Sequence, residues 1–502
     1  ICFDELLPEN IKKANTRHQH TSCVTMSPTI ENPDLTATLI NDVDVEIPED
    51  LGSWTTGEKQ PNHFRDVMWG VLFYGQVVVI AAMGFAWGLP ALNEHIDYNV
   101  DEDDVTNFKG IMYLCLIAGG CGIAVSAVSL TLMTMFPTFL IQFALIFSVA
   151  MSLVSGIGAA VMGNVAGAVI GIIFFFIGAC YACLVWRRIP FAATNLETAL
   201  TAVKKNWGLN LVAYFLVLLA FAYSMIWALT FIGVYYRSAD CDEGICTGTV
   251  NAGYVFLLFL AFFWSQQVIQ NTTHVTVAGT VGTWWFDPLE ASSCCSKGVG
   301  DSFFRATTFS FGSICLGSLL VAIIHSLRVL VQQARTEQDG ILLCCVECLL
   351  GCIESIVEYF NKWAYIYVGL YGYSYCEAGK NVMTLFEERG WTTIITDDLI
   401  YNTLSLMSLV LGILTGALGL LVADVAKDWF TGIKDLGAFA FFISFFVGLV
   451  MSSILLGVIG SSVDTVIVCF AEAPAEFQAN HPELSEKMRR TWREAYPVAS
   501  GL

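Results

Sequence analysis

Residues 251–286 read NAGYVFLLFLAFFWSQQVIQNTTHVTVAGTVGTWWF, and this stretch decides the fold of the chain. Its first half is almost entirely apolar, as expected of a helix that lies in a bilayer. Four polar or amphipathic side chains fall within one quarter of the helix circumference, because a helix advances about 100° per residue. They are Trp264, Gln267, Asn271 and His274, and we call them the polar seam.

The polar seam must face other helices or a hydrated cavity, because polar groups find no water in lipid. One interpretation is a substrate-binding surface. The other is hydrogen bonding between helices with no ligand. A hydrated His274 would titrate in the physiological range, which makes it a candidate for proton coupling.

The composition of the whole chain supports a membrane protein. The chain has 502 residues, of which 56% are hydrophobic and only 14% are charged. These values predict an all-α polytopic membrane protein whose main partner is the lipid bilayer. A net charge of −20 makes nucleic acid an unsuitable partner.

Runs of about 20 apolar residues predict ten transmembrane helices. They cover residues 69–89, 111–135, 138–162, 165–186, 211–235, 254–286, 304–331, 342–375, 403–425 and 439–463. The first part of the eighth run is amphipathic because it contains Glu347, Glu354 and Glu358. We therefore expect an interfacial helix there that leads into a true span at residues 363–375.

Three regions follow from these spans. Residues 1–62 are polar and acidic without periodicity, which predicts a disordered cytoplasmic tail. Residues 63–470 form the ten-span domain, and residues 471–502 form a C-terminal cytoplasmic tail.

Basic residues predict the orientation of the spans in the membrane. Arg187, Arg188, Lys204 and Lys205 cluster after the fourth span, which places that loop in the cytoplasm. An even number of spans then leaves both termini cytoplasmic. Under this count Arg328 and Arg335, which follow the seventh span, would lie on the outer side of the membrane. Basic residues there depart from the general preference for the cytoplasmic side.

The 17 cysteines lie mostly in apolar segments, where a thiol behaves as a small hydrophobic group. Cys241 and Cys246 instead lie in a short polar loop, and we predict a disulfide between them if that loop faces an oxidising compartment. Cys345 and Cys348 have the spacing of a zinc-binding pair, but no second pair accompanies them. We therefore predict no metal site.

The chain carries no recognisable catalytic motif. HExxH, GxSxG, the P-loop and the dinucleotide-binding glycine pattern are all missing from the sequence, and the carboxylates near the spans are scattered. We therefore expect neither an enzyme nor a cofactor.

Aromatic residues in the spans are more informative, because aromatic faces attract quaternary ammonium groups. Tyr223 and Trp227 are four residues apart, on one helix face, and Tyr371 ends the eighth span. These three are candidates for substrate binding. Charged residues near the ends of spans are candidates for gating or coupling, and they are Glu377, Lys380 and Asp464.

Four stretches resemble the signatures of the choline transporter-like family. They are SFGSICLGSL at residues 310–319, AGTVGTWWF at residues 278–286, Tyr371-Gly372 with Lys380-Asn381, and Val463-Asp464-Thr465 with Glu472. The resemblance implies a ten-span solute carrier with cytoplasmic termini that moves choline and related ethanolamine-type amines, in some members with proton exchange. The short loop after the first span is closer to fungal, plant and protist members than to animal ones.

Together the residues and the resemblance predict a carrier that works by alternating access on a small amine. Aromatic faces and the polar seam would hold the trimethylammonium group, and Gln267 or Asn271 would meet the hydroxyl. The alternatives are a carrier or channel for another cation or a lipid headgroup, and a membrane scaffold or receptor that transports nothing. We expect the plasma membrane as its location, with an organellar membrane as the alternative.

Overall fold

The computed structural model describes most of the chain after residue 61. The described residues are 62–91, 102–238, 241–242, 245–246, 252–293, 296–337, 341–388, 399–430 and 435–496. The predicted disordered tail therefore lies outside the described residues, except for Asn62.

Helices make up nearly all of the described chain. The first six are α1 (Val67–Met83), α2 (Glu102–Met135), α3 (Pro137–Val161), α4 (Val165–Val185), α5 (Ile189–Lys205) and α6 (Gly208–Ser238). A π-helical turn, Gly84–Gly88, extends α1, and a 3-10 turn, Trp186–Arg188, separates α4 from α5. Two short antiparallel strands follow α6, β1 (Cys241–Asp242) and β2 (Ile245–Cys246).

The second half of the chain is built in the same way. Its helices are α7 (Ala252–Phe286), α8 (Lys297–Thr307), α9 (Phe311–Glu337), α10 (Ile341–Tyr371), α11 (Tyr375–Glu388), α12 (Leu399–Val425), α13 (Leu436–Glu472), α14 (Pro474–Asn480) and α15 (Pro482–Ala495). A 3-10 turn, Lys427–Trp429, follows α12. The predicted C-terminal tail therefore contains two folded helices.

Within the described part of the chain, nine helical segments are long and apolar enough to cross a membrane. They are α1 with its extension, α2, α3, α4 continuing into α5, α6, α7, α9, α12 and α13. The prediction of an all-α polytopic membrane protein is confirmed.

Helix α10 corresponds to the eighth predicted span, and it is not one of the nine because glutamates interrupt its apolar sequence. The expected division into an interfacial helix and a separate span at residues 363–375 is wrong. α10 is one continuous helix to Tyr371, and the break comes at Gly372, whose φ of 65° lies in the left-handed region that glycine tolerates.

The glutamates of α10 have charged partners on α9, and Glu354 is the buried one among them. Arg335 Nη1 lies 2.8 Å from Glu347 Oε2, and Arg328 Nη1 lies 2.9 Å from Glu354 Oε2. The two helices form an antiparallel hairpin whose facing charges are paired. Arg328 and Arg335, the two basic residues that the span count places on the outer side, are thus neutralised by glutamates of α10.

Three other predicted boundaries change. The seventh span does not start at residue 304, because α8 ends at Thr307 and α9 starts at Phe311. The basic segment after the fourth span is helix α5 and not a loop. α13 continues to Glu472, so Asp464 lies inside a helix instead of at its end.

Both described ends of the chain lie at one end of the bundle, which we call the terminal end. Asp66 Oδ2, just before α1, accepts hydrogen bonds from Ser313 Oγ (2.7 Å) and from the Tyr375 amide (3.0 Å). The starts of α1, α9 and α11 therefore meet there.

The other end of the chain reaches the same place. Arg305 Nη2, in the segment that joins α7 to α9, lies 3.3 Å from Asn62 Oδ1, so α7 ends at the terminal end. Trp285 Nε1 then donates to the Ala473 carbonyl (3.0 Å), which places the end of α13 beside the end of α7. Since α9 starts at the terminal end and α10 returns to it, α10 runs the length of the bundle beside the nine segments of the described chain that are long and apolar enough to cross a membrane. The count of ten transmembrane helices stays a prediction.

Glycine permits the close contact between α7 and α10 that aligns the polar seam. A Cβ on Gly369 would lie 2.7 Å from the Val275 carbonyl oxygen and 2.8 Å from the Ala278 Cβ. A Cβ on Gly279 would lie 3.1 Å from the Gly369 carbonyl oxygen. The backbones of the two helices therefore approach as closely as small residues allow.

Candidate functional site

The polar seam of α7 faces three other helices. At its start, Trp264 Nε1 donates to the Cys315 carbonyl on α9 (2.9 Å), and the indole is 7% exposed. Farther along, Asn271 Nδ2 donates to Ser318 Oγ on α9 (2.9 Å) and lies 3.5 Å from Gln267 Oε1. The seam ends at His274, which contacts α10 and α13.

The middle of the seam continues into a buried hydrogen-bond network between α9 and α10. Ser318 Oγ lies 3.3 Å from the hydroxyl of Tyr365, which donates to the Ile314 carbonyl (3.1 Å). Asn361 Nδ2 donates to the Gly317 carbonyl (3.0 Å), and the hydroxyl of Tyr375 donates to Asn361 Oδ1. Satisfied networks of this kind fix helices in one register.

A charged group lies beyond His274, where α10, α12 and α13 meet, and we call it the ammonium cage. Lys362 Nζ lies 3.0 Å from Asp464 Oδ1, 4.2 Å from the centre of the Tyr401 ring and 4.9 Å from the centre of the Trp363 ring. The hydroxyl of Tyr401 donates to Asp464 Oδ2. Both oxygens of the carboxylate are therefore bonded.

The two charged groups of the ammonium cage differ in how deeply they are buried. The Asp464 side chain is 2% exposed, whereas that of Lys362 is 21% exposed. A buried charge pair is tolerated when its remaining hydrogen bonds are satisfied, as they are for Asp464. A carboxylate beside aromatic faces is the environment that binds organic ammonium ions, and here it holds the ammonium of a lysine.

His274 joins the seam to the ammonium cage. Its Nε2 lies 3.0 Å from the Lys362 carbonyl, and its Nδ1 lies 2.7 Å from Ser461 Oγ on α13. Because a carbonyl only accepts, Nε2 carries the proton, and a neutral ring then accepts at Nδ1 from Ser461. The imidazole therefore bridges α7, α10 and α13.

The aromatic pair predicted on α6 lies at a different contact. Tyr223 donates its hydroxyl to the Ala261 carbonyl (3.1 Å), and Trp227 donates Nε1 to the Leu258 carbonyl (2.8 Å). Trp227 also packs against phenylalanines of α7, with ring centres 4.7 Å apart for Phe262. These bonds hold α6 to α7, and the structure does not bring the pair to the ammonium cage.

Tyr371 lies at the terminal end, where its hydroxyl donates to Glu472 Oε1 (2.5 Å). It also lines a cavity of about 160 Å³ between the ends of α7 and α10 and helix α8. The aromatic and charged residues of the cavity wall are Phe286, Asp287, Glu290, Asp301, Arg305 and Tyr371. Its charged side chains are three carboxylates and one guanidinium.

The other predicted charged candidates lie on the surface of α11. Glu377 and Lys380 are both exposed, and Glu377 Oε2 accepts from Ser374 Oγ (3.3 Å). Among the described residues no ion pair joins Glu377 to Lys380. Asp464 is the member of the predicted coupling group that lies inside the bundle.

The predicted disulfide can be assessed only through the backbone. Strands β1 and β2 place Cys241 opposite Cys246. The side chains of both residues lie outside the described part of the structure, so the disulfide stays a prediction.

Sequence reasoning missed two groups. Lys362 and Tyr401 were not identified, although a single lysine within the aromatic run of residues 359–367 was a visible signal. The second group is His325 with Glu354 and Glu358, whose ligand atoms lie within 4.8 Å of one another and could hold a metal ion.

The geometry of this second group is that of a charge cluster between α9 and α10. His325 Nδ1 lies 3.2 Å from Glu354 Oε1, and His325 Nε2 lies 3.7 Å from Glu358 Oε1. Phe263 of α7 stacks on the imidazole, with ring centres 5.3 Å apart. Arg328 already binds the second oxygen of Glu354, which makes the group less suited to a divalent cation.

Comparison with known proteins gives a consistent result. Residues 169–475 match the family model described as plasma-membrane choline transporter, which is more than half of the chain. The matched region includes the polar seam and the ammonium cage.

Several curated relatives carry the names PNS1 or CTL-like protein. Protein PNS1 of Gibberella zeae is 31% identical over 65% of this chain and 63% of its own length. Protein PNS1 of Cryptococcus neoformans is 29% identical over 76% of this chain and 72% of its own length. A CTL-like protein of Dictyostelium discoideum is 29% identical over 88% of this chain and 78% of its own length. This chain thus spans less than two thirds of the Gibberella protein.

Proposed function

The chain belongs to the choline transporter-like family, and from this membership we propose that it is a carrier of choline or related amino-alcohol amines that works by alternating access. Two observations already given support the transporter class, namely the multi-pass helical bundle and the family match over residues 169–475. The substrate, its site and the coupling are our proposals.

The observation that carries the choice of an amine is the ammonium cage. The bundle binds one organic ammonium group, that of Lys362, between the carboxylate of Asp464 and the rings of Tyr401 and Trp363. A quaternary ammonium needs the same surroundings, since it is attracted by aromatic faces and by negative charge but donates no hydrogen bond. The chemistry of the cage therefore suits the head of choline.

We propose that the substrate ammonium and Lys362 compete for the cage. With the cage empty of substrate, the Lys362 ammonium neutralises Asp464, which would otherwise be a buried charge without a partner. When the substrate enters, the partly exposed lysine withdraws and the substrate ammonium takes its place. One positive charge is bound in either state, so the exchange keeps the cage neutral.

The polar seam would meet the other end of the substrate. Gln267 and Asn271 offer amide groups to a hydroxyl, and His274 positions the backbone of Lys362. Of the coupling candidates we retain Asp464 and His274, because both lie inside the bundle, whereas Glu377 and Lys380 are exposed. A proton gradient would act on the competition through these two groups.

We further propose the plasma membrane as the location, with the terminal end of the bundle in the cytoplasm. The family description supports the membrane. The basic segment with Arg187 and Arg188 supports the orientation, since basic residues favour the cytoplasmic side.

The experiment is uptake of labelled choline by purified protein in proteoliposomes, with and without an imposed pH gradient. Saturable uptake that other amino alcohols inhibit would support the proposal, and acceleration by the gradient would support coupling. Folded protein that takes up no choline in either orientation would overturn it. The matched control is Glu377→Gln, which changes an exposed carboxylate outside the bundle and should leave uptake close to that of the parent protein.

A further inference from the structure

A second cavity lies at the terminal end, outside the carrier site. Its volume is about 320 Å³, and it is lined by Phe470, Pro474, Arg489, Trp492 and Arg493. Phe470 belongs to the last turn of α13, and the two arginines belong to α15. The cavity therefore lies where α13, a helix long and apolar enough to cross a membrane, ends.

The charges in this cavity are not compensated by acidic side chains. Arg489 Nη2 donates to the Pro474 carbonyl (2.9 Å), and Arg493 Nε donates to the Arg489 carbonyl (3.3 Å). Within the described residues neither guanidinium forms an ion pair with a carboxylate. Lys487, two residues earlier on α15, does form one, with Nζ lying 2.5 Å from Glu197 Oε2.

Two guanidinium groups beside one cavity favour an anionic ligand. Each guanidinium offers several N–H donors in a planar fork that matches the oxygens of a phosphate group. An anion between them would also relieve their mutual repulsion. The chemistry of the cavity thus selects a phosphate ester over an amine.

The aromatic residues of the cavity wall are buried. Trp492 is 3% exposed and Phe470 is 4% exposed. Trp492 packs on Tyr496, with ring centres 4.6 Å apart, and Arg188 lies 5.3 Å from the centre of the Tyr496 ring. Buried aromatic residues therefore form part of the cavity wall, and a third arginine lies nearby.

From these contacts we infer that the cavity binds the phosphate headgroup of an anionic membrane lipid. A lipid is a better source of the phosphate than a free ion, because the cavity adjoins the end of α13, which is long and apolar enough to cross a membrane. Anionic lipids concentrate in the cytoplasmic leaflet, where basic segments recognise them. The bound lipid would hold α15 against the membrane end of α13.

The test measures the thermal stability of the full chain in detergent while phosphatidylserine or phosphatidylcholine is added. A ligand that binds the folded state stabilises it. We expect phosphatidylserine to raise the melting temperature and phosphatidylcholine to leave it nearly unchanged. The double variant Arg489→Gln with Arg493→Gln should lose the response to phosphatidylserine.

The matched control is Arg490→Gln. Arg490 lies on the same helix and carries the same charge, but it is exposed and does not line the cavity. It should keep the full response, and a loss in both variants would show that only the net charge of α15 matters, which would overturn a defined site. If the double variant does not fold, the single variant Arg493→Gln serves instead, because Arg493 is exposed and its side chain bonds only within α15.

Two further outcomes would overturn the inference. Equal stabilisation by inorganic phosphate would identify a soluble anion as the ligand, and equal stabilisation by phosphatidylcholine would remove the role of charge. The stabilisation by lipid is measured without substrate. A negative result would therefore leave the proposed transport function untouched.

Discussion

The carboxylate of Asp464 is shared between the ammonium of Lys362 and the hydroxyl of Tyr401. Replacing it in Asp464→Asn leaves the lysine in the bundle without its counter-charge. We expect a loss of about 3–5 kcal/mol in the free energy of unfolding, the usual cost of breaking a buried pair. Choline uptake should fall at least about tenfold, because the substrate ammonium loses the same partner.

The double variant Asp464→Asn with Lys362→Met separates the two roles of this carboxylate. Removing both charges should restore most of the stability, measured by thermal unfolding, because no buried charge is left unpaired. Uptake should stay low, because the cage has lost its negative charge. Recovery of both stability and uptake would show that the pair only holds the helices together.

Tyr401 offers a test of the aromatic face. Tyr401→Phe keeps the ring and loses the hydrogen bond to Asp464, whereas Tyr401→Leu loses both. A cation over an aromatic ring is worth about 0.5–2 kcal/mol, so the KM for choline should be about 2–30 times higher in the leucine variant than in the phenylalanine variant. Equal KM values for the two variants would remove the ring from the substrate site.

Contacts between helices keep the polar seam and the ammonium cage aligned. Two glycines of α10, Gly369 and Gly351, allow a matched test of these contacts. A Cβ on Gly369 would meet the backbone of α7, whereas nothing lies within 4 Å of a Cβ on Gly351. Gly369→Ala should destabilise the protein by about 1–3 kcal/mol through overpacking. Gly351→Ala should stabilise it by about 0.5–1 kcal/mol, because alanine restricts the unfolded chain more than glycine does.

Thermal unfolding of both variants tests this difference, since the change of residue is the same on the same helix. A neutral Gly369→Ala would mean that α7 and α10 are free to separate at this point. Uptake by a folded Gly369→Ala protein would then report whether close approach of the helices matters for transport.

The short helix α14 docks the C-terminal segment on α7, and we expect this contact to weaken at low pH. Asn480 Nδ2 donates to the Trp285 carbonyl (2.9 Å), and His481 Nε2 lies 3.0 Å from the Trp284 carbonyl. Burial lowers the pKa of His481 below its ordinary value of 6.5, and the hydrogen bond to Trp284 offsets this in part. The unfolded chain therefore binds this proton more readily than the folded protein.

Stability from His481 is consequently complete above about pH 6.5 and is lost as the pH falls below that value towards the lower pKa of the folded state. We expect the melting temperature to fall between about pH 7.5 and pH 5. In His481→Gln the fall should be smaller, because one titrating group is gone. An unchanged pH profile in the variant would show that His481 contributes nothing to it.

Sequence periodicity is enough to find the long apolar helices and the seam, because both depend on residues a few positions apart, but it misses the amphipathic helices α5, α14 and α15. Trp264, Gln267, Asn271 and His274 share a helix face by geometry alone. The ammonium cage was beyond this reasoning, because it joins Lys362 to residues on two other helices. The sequence places Asp464 at the end of a span, because the apolar run before it is already long enough to cross a bilayer, whereas α13 continues through further apolar residues to Glu472.

The predicted boundaries of the spans are wrong where charge pairs between helices outweigh the local hydropathy. The glutamates of α10 made it look interfacial, and only their contacts with Arg328 and Arg335 explain how it enters the bundle. Gly372 could have marked the end of α10, because a glycine after a long helix often takes the left-handed conformation.

For the whole molecule, the distribution of basic residues decides which end faces the cytoplasm. Lys487 pairs with Glu197, and Lys204 Nζ lies 2.7 Å from Thr134 Oγ1, so α5, α15 and the end of α2 lie together at the terminal end. At the other end, Arg335 is paired with Glu347, and Lys427 lies 2.8 Å from Asp424 Oδ1. The terminal end carries the basic residues Arg187, Lys205, Arg489 and Arg493, and we therefore expect it to be cytoplasmic.

This orientation is tested by placing one epitope tag after α15 and, in a separate protein, one between α12 and α13. In intact cells an antibody should reach the tag between α12 and α13 and should reach the C-terminal tag only after permeabilisation. Both tags on one side would contradict the ten predicted crossings, since α13 must separate them. The reverse pattern would put Arg489 and Arg493 on the outer leaflet, where anionic lipids are scarce, and the lipid site would then lose its physical basis.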